Sequence, residues 1–273
     1  MIRGLRSLEM APRESFARLR NELDTTLRAP LPRRTKAAIA AAQLWRPWSK
    51  RPYFRVGYGT STLLLGRQGL DIDVLTILGV LTGQYFDSDH RGRVIIDGGA
   101  HKGYYAVRAL ERSADAVYSF EPEAANYDAM RLSRELCPLK DRWHIERVAL
   151  TAAGQDATLN LSAESWAHSL LEPASGGVVG TQTMRARQLA SVLASVRRAH
   201  PTSDVIVKLN IEGSAGTVVL STSPGDWAQV IELWCEFETN EPCPREQIEG
   251  HLAAAGFTLA QTIRPTVVQY LRT

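Results

Sequence analysis

The chain has 273 residues, 44% of them hydrophobic and 22% charged, enough for one substantial core with residues left for an appendage. No apolar run approaches the ~18 residues of a membrane span, and the first residues lack the apolar core and small-residue cleavage site of a secretory signal. Cys137, Cys235 and Cys243 are odd in number and show neither C-x-x-C nor paired Cys/His spacing, so no metal or disulfide framework is expected and a reducing cytoplasm is the expected location. The net charge of +3 conceals an asymmetry: residues 1–56 carry 13 Lys/Arg against 4 Asp/Glu, and the remainder 19 against 25. A basic arm on a mildly acidic body fits self-docking or contact with an anionic surface.

Pro12 can open a helix whose apolar stripe is Phe16, Leu19, Leu23 and Leu27, ended by Pro30 and Pro32. An alanine-rich helix follows over about 35–45, stopped by Pro47. The two make a basic helical arm over 1–52, and the stripe suits packing on the parent domain or a homodimer contact. Residues 53–65 read as a hairpin with Gly57 and Gly59 at its turn, and Val74, Ile77, Leu78 and Leu81 as a helix capped by Asp71 or Asp73.

From Arg93 onward short apolar strands alternate with helices. The strands are VIID (94–97), AVYSFE (116–121), WHIERVA (143–149), VIVKLN (205–210), VIELWCEF (230–237), FTLAQ (257–261) and TVVQYL (266–271). Helices are expected near 103–112, 123–136, 188–199, 214–222 and 244–256. Continuous apolar strands in such alternation mean a parallel sheet covered on both faces, a doubly wound α/β architecture. This domain spans 53–273 with its core from about 80, and a Gly/Ser-rich insertion over 154–187 interrupts it with candidate edge strands.

Residues 94–103 read VIIDGGAHKG. In an open α/β sheet, ligands bind beyond the carboxyl ends of the strands where strand order reverses, and the first strand with its glycine turn is the usual place. Gly98-x-Ala100-x-x-Gly103 nearly matches the dinucleotide pattern G-x-G-x-x-G, a weak signal alone. Asp97 counts against NAD, because a carboxylate at the turn repels pyrophosphate and attracts a cation. S-adenosylmethionine has no phosphate and carries an ammonium, while backbone N–H groups opening the next helix can hold its carboxylate. His101 fits a left-handed turn position, with catalytic base as the sharper alternative. Glu121 ends the second strand, 24 residues after Asp97, and its two oxygens can accept from both hydroxyls of a ribose.

IIDGGAHKGYYAV, YSFEPEAANYDAMRLSREL, VALTAAG and VIVKLNIEG, in that order within about residues 80–225, resemble the FkbM-type family of S-adenosylmethionine-dependent methyltransferases. The resemblance implies a Rossmann-like class I methyltransferase fold, with a seven-stranded, mostly parallel sheet, helices on both faces and an antiparallel last strand. It implies S-adenosyl-L-methionine as cofactor and O-methylation of a small-molecule or glycan hydroxyl, on a sugar or secondary metabolite. Carried over, Asp97, Gly99, Ala100 and Gly103 surround the methionyl part, with Gly98, His101 and Tyr104 of the same turn beside them. Glu121 takes the ribose, Pro122 and Asn126 shape its turn, and Val148 and Ala149 lie against adenine. Lys208, Asn210 and Glu212 fall between donor and acceptor. Asn210 stands where the family has aspartate and Ala215 where it has glutamate, which removes two carboxylates from the catalytic end.

An alcohol that attacks a methyl group loses a proton, so a general base helps. Glu212, His168 and His101 are the candidates, with Asn210 able to orient the cofactor's ammonium or the acceptor hydroxyl through its carbonyl oxygen. Trp143, Trp166 and Trp234 could stack on sugar faces, although large aromatics usually belong to the core. Three rivals stand: a cofactor-binding domain without catalysis, a nucleic-acid methyltransferase and an NAD-dependent oxidoreductase. No nucleic acid is expected as partner, because the arm lacks aromatic interleaving and the fourth-strand motif is N-I-E-G.

Overall fold

In the computed structural model the apolar strand runs are buried between two layers of helices. It describes residues 12–163, 168–170, 177–238 and 242–273, with side chains from residue 19 onward. Helices α1 (Pro12–Arg28) and α2 (Arg33–Trp45) precede a hairpin, β1 (Tyr53–Tyr58) with β2 (Ser61–Gly66), and helix α3 (Leu70–Thr82). Then come β3 (Val94–Gly98), α4 (Tyr104–Glu111), β4 (Ala116–Phe120), α5 (Ala124–Glu135), β5 (Trp143–Glu146) and a short β6 (Ala149–Leu150). The insertion contributes β7 (Ala157–Ser162), β8 (Val178–Met184) and β9 (Ala186–Arg187). The chain continues through α6 (Leu189–Ala199), β10 (Val205–Leu209), α7 (Ala215–Ser221), β11 (Val230–Glu236), α8 (Arg245–Ala254), β12 (Phe257–Thr262) and β13 (Val267–Arg272).

Seven strands form one sheet in the order β12-β13-β11-β10-β3-β4-β5. β13 runs antiparallel to both of its neighbours, and the other pairings are parallel. Every residue of β3 and of β10 is buried, as a strand covered on both faces requires. Ile95, Val117, Ile206 and Trp234 enter the core on the α3–α4 side; Val94, Ile96, Val207 and Leu233 enter the core on the α6–α8 side. The fold is therefore a Rossmann-like α/β sheet whose strand order reverses between β3 and β10, where a ligand crevice is expected.

The arm's second helix is built into the first of these cores. Ile39 is fully buried there beside Val56, Leu63 and Leu65, and Thr35 Oγ1 donates to the carbonyl of Gly57 at 2.7 Å. Among the described side chains of α1 the buried one is Thr26, bonded to Gln43 at 3.1 Å, while Leu27 is 56% exposed. The stripe therefore does not extend to Leu27, because a polar pair closes the α1–α2 contact. The Phe16 side chain and Trp166 lie outside the described residues.

Four local expectations change. The hairpin turns at Gly59, whose φ of 58° is left-handed, while Gly57 lies within β1 opposite Thr62. Neither Asp71 nor Asp73 caps α3: Gly69 precedes it, and Asp73 points inward to Lys102. The third strand stops at Glu146, since residues 149–150 leave it to pair with β9. The insertion's strands β7 and β8 pair antiparallel in a sheet of their own and do not extend the main one.

Candidate active site

The turn after β3 and the turn after β10 approach so closely that a Cβ on Gly99 would lie 1.7 Å from the carbonyl oxygen of Asn210. Only glycine permits that contact, and its φ of 70° is left-handed as well. His101 also has positive φ, 52°, which fits the turn role expected of it. Its backbone N–H donates to Glu121 Oε2 at 2.7 Å, and the N–H of Glu123 donates to Glu121 Oε1 at 2.9 Å. The acid ending β4 thus fastens the turn after β3. Burial pushes the Glu121 carboxyl up to about 8 against these bonds.

The start of α4 is pinned from the other side. Lys102 Nζ lies 2.6 Å from the buried Asp73, whose other oxygen accepts from the N–H of Gly66 at 2.6 Å. Tyr104 Oη donates to the carbonyl of Leu64 at 3.0 Å.

These turns floor a cleft of about 840 Å³ beyond the carboxyl ends of β3, β4 and β10, within the range of small-molecule sites. Gly99, Ala100, His101 and Tyr104 line it, with Glu121, Pro122, Asn126 and Ala149 further along. Leu159 and Met184 of the insertion pack on Ala149 there, an apolar wall suited to a flat ring. Gln182 Nε2 holds the carbonyl of Pro122 at 3.1 Å, and Ser169 Oγ holds that of Glu212 at 2.8 Å, so the insertion is tied to both ends of the cleft.

Four of the expected residues do not line the cleft. Asp97 is fully buried, and its Oδ1 takes the ammonium of Lys208 at 2.9 Å; that ammonium also donates to the carbonyls of Gly98 and Gly99. The cation Asp97 attracts is therefore one the chain itself supplies. Gly98 backs against Leu150 and Leu209, Gly103 against Trp143, and Val148 belongs to the core under α6 and α7. Trp143 and Trp234 are fully buried core residues, so neither can stack on a ligand.

At the far end stand Lys208, Asn210 and Glu212, joined by Glu236 from the end of β11. Burial and the nearby Glu238 and Glu236 push the Glu212 carboxyl up to about 9; burial and Glu238 push Glu236 to about 6. Glu212 therefore holds a proton at neutral pH, and Glu236 is poised to take one. His168 also lines the cleft, but the N–H of Ser162 donates to its Nδ1 at 3.0 Å. That bond leaves the proton of the neutral ring on Nε2, a donor position and not a base. Both ring nitrogens of His101, Asn210 Oδ1 and Glu212 Oε2 have no hydrogen-bond partner among the described residues. Buried polar atoms without partners are costly, and four converging on one cleft fit a polar ligand.

Glu236, Leu159, Met184 and the tie from Ser169 were missed in the sequence. Glu236 had a signal, since it ends a strand at the sheet's carboxyl edge; the insertion residues had none. The arm also reaches the cleft: Asp24, Thr25 and Arg28 of α1 and Ala29 line its outer part, opposite Ile72, Leu75 and Thr76 of α3. Contrary to expectation the arm does carry exposed aromatics, Trp45 and Trp48, 65% and 75% accessible.

No protein-family model matches this sequence, and no curated protein matches it. Among solved structures it is similar to an FkbM methyltransferase from Methylobacillus flagellatus, at 12% identity and a TM-score of 0.42, over 94% of this chain and 60% of that one. It is also similar to a magnesium protoporphyrin IX methyltransferase from Synechocystis with bound S-adenosylmethionine, at 11% identity and a TM-score of 0.42, over 76% and 83% of the two chains. A candidate RNA methyltransferase from Pyrococcus horikoshii gives 12% identity and a TM-score of 0.40, over 73% and 85%. The chain thus spans about three-fifths of the FkbM protein's length.

Proposed function

We propose that the chain is an S-adenosylmethionine-dependent methyltransferase acting on a hydroxyl of a small-molecule or glycan acceptor, of the FkbM type that its motifs resemble. The observation that carries this reading is the junction of Glu121 with the turn after β3. A carboxyl group that accepts from two backbone N–H groups at the end of β4 still has hydrogen-bonding capacity for a ribose, and a glycine turn without a phosphate loop lies beside it. Gly99, Ala100, His101 and Tyr104 hold the amino-acid end, Glu121 and Asn126 the ribose, and Ala149, Leu159 and Met184 the adenine. The unpartnered nitrogens of His101 offer this ligand an otherwise missing hydrogen bond.

The cofactor when bound supplies an electrophilic methyl group. The protein's share is to place the acceptor in line and to receive its proton. Asn210 Oδ1 and the protonated Glu212 orient the hydroxyl, Glu236 takes the proton, and His168 donates through Nε2. Glu236 thereby fills the place left by the missing acids at Asn210 and Ala215. The insertion, tied at Pro122 and Glu212, walls the cleft at both ends.

The test is transfer of a labelled methyl group from S-adenosylmethionine to a panel of sugars, phenols and aliphatic alcohols, with and without Glu236→Gln. Label on an oxygen, lost in the variant while S-adenosylhomocysteine still binds, supports the reading. Binding without transfer to any acceptor favours a cofactor-binding domain without catalysis, and label on RNA or DNA favours the nucleic-acid reading.

A further inference from the structure

We propose that the turn closing α2, with the adjoining rim of α3, is a docking face for an anionic lipid bilayer. Large apolar side chains stand unburied there: Leu44 and Trp45 at the end of α2, Trp48 in the turn that follows it, and Leu75 on α3, which is 60% exposed. An ion pair makes the two parts neighbours. Arg46, which follows Trp45, reaches across to Asp71 of α3, Nη1 to Oδ1 3.7 Å, and Leu75 lies one helical turn beyond Asp71 on the same face.

The charge on this part of the chain is mainly positive. Residues 19–56 carry nine Lys/Arg against two Asp/Glu, and Asp24 is paired with Arg28. Lys50 and Arg51, just beyond Trp48, are exposed. Tryptophan prefers the boundary between headgroups and acyl chains, leucine the acyl side, and lysine and arginine the anionic headgroups. The three residue types together match a bilayer surface. A nucleic acid would use the tryptophans for stacking but gains nothing from Leu44 and Leu75. A second copy docking symmetrically would set this basic surface against itself.

Leu75 also lines the cleft, so the docking face adjoins its mouth. An amphiphilic acceptor lying in the bilayer would then meet the cleft there; this last step rests on the methyltransferase reading, whereas the docking itself does not.

The experiment is flotation of the full chain with vesicles of phosphatidylcholine alone, and with about one-third phosphatidylglycerol, beside the variant Trp45→Ala/Trp48→Ala. The expected result is flotation with the anionic vesicles alone, falling about tenfold in the variant at an unchanged melting temperature. Absence of flotation, or flotation equal in the variant, overturns the proposal. So does binding of an RNA oligonucleotide in place of vesicles, or a dimer that the variant converts to monomer while vesicles are ignored. S-adenosylhomocysteine binding, measured separately, decides the methyltransferase reading whatever the vesicles show.

Discussion

Lys208 and Asp97 lie side by side on β10 and β3, ammonium to carboxylate at 2.9 Å, both almost fully buried, with Lys208 at the edge of the cleft and Asp97 behind it. Asp97 is the acid that suggests a cation-binding turn, and the cation proves to be internal. What distinguishes this turn from a phosphate loop is therefore a neutralised pair. Breaking such a pair from one side leaves a buried charge alone, which costs about 3–5 kcal/mol. Lys208→Met is expected to lower stability by that order in urea denaturation, and Asp97→Asn added to it to recover a large part. Equal loss in the single and double variants would show that packing, not charge, holds the two strands.

Gly99→Ala should be among the most damaging single methyl additions in the protein. The new carbon would overlap the carbonyl of Asn210 in a left-handed conformation, so overpacking of about 1–3 kcal/mol and backbone strain of about 1–2 kcal/mol both apply. Melting temperature and S-adenosylhomocysteine affinity should fall together. Gly57→Ala, where nothing lies within 4 Å of the added carbon, is the control.

Glu121→Ala should weaken S-adenosylhomocysteine binding about 10- to 100-fold, since two lost hydrogen bonds are worth about 0.5–1.5 kcal/mol each. Calorimetry reads this directly. Unchanged affinity would remove the ribose from Glu121 and leave the acid as a clasp for the turn at His101.

The carboxyls of Glu212 and Glu236 are raised to about 9 and about 6 from an ordinary 4.5. Above pH 4.5 the folded chain therefore binds more protons at these sites than the unfolded one, and their contribution to stability falls as pH rises through 6 towards 9. Glu212→Gln keeps the neutral form at every pH, so it should raise stability at about pH 9 by roughly 1–2 kcal/mol, partial exposure being allowed for, and little at pH 5. Methyl transfer should rise through about pH 6, as Glu236 ionises, and lose that limb in Glu236→Gln. A rise centred near 9 would return the base to Glu212.

The central strands β3 and β10 could be read from the sequence because each is a short apolar run buried on both faces, a pattern set by the strand alone; the edge strand β12, exposed at all but Phe257, was legible instead from its place in the strand–helix alternation. Glu121 and the glycine turn were visible for a similar reason, being fixed by their own strand ends. What stayed hidden depends on partners distant in the chain. Asp73 looks like a helix cap until Lys102, 29 residues on, turns it inward. Glu236 becomes a candidate base only when β11 takes its place beside β10. His168 looks like a base until the N–H of Ser162 fixes its tautomer. Leu27 shows helical spacing yet stays exposed, because Thr26 and Gln43 make the contact.

The most direct measurement is calorimetric titration of the full chain with S-adenosylhomocysteine and, separately, with NAD. One molecule of the nucleoside is expected to bind per chain, with affinity weakened in Glu121→Ala, and no heat is expected from the dinucleotide. Saturable NAD binding with none of the nucleoside would contradict the methyltransferase reading.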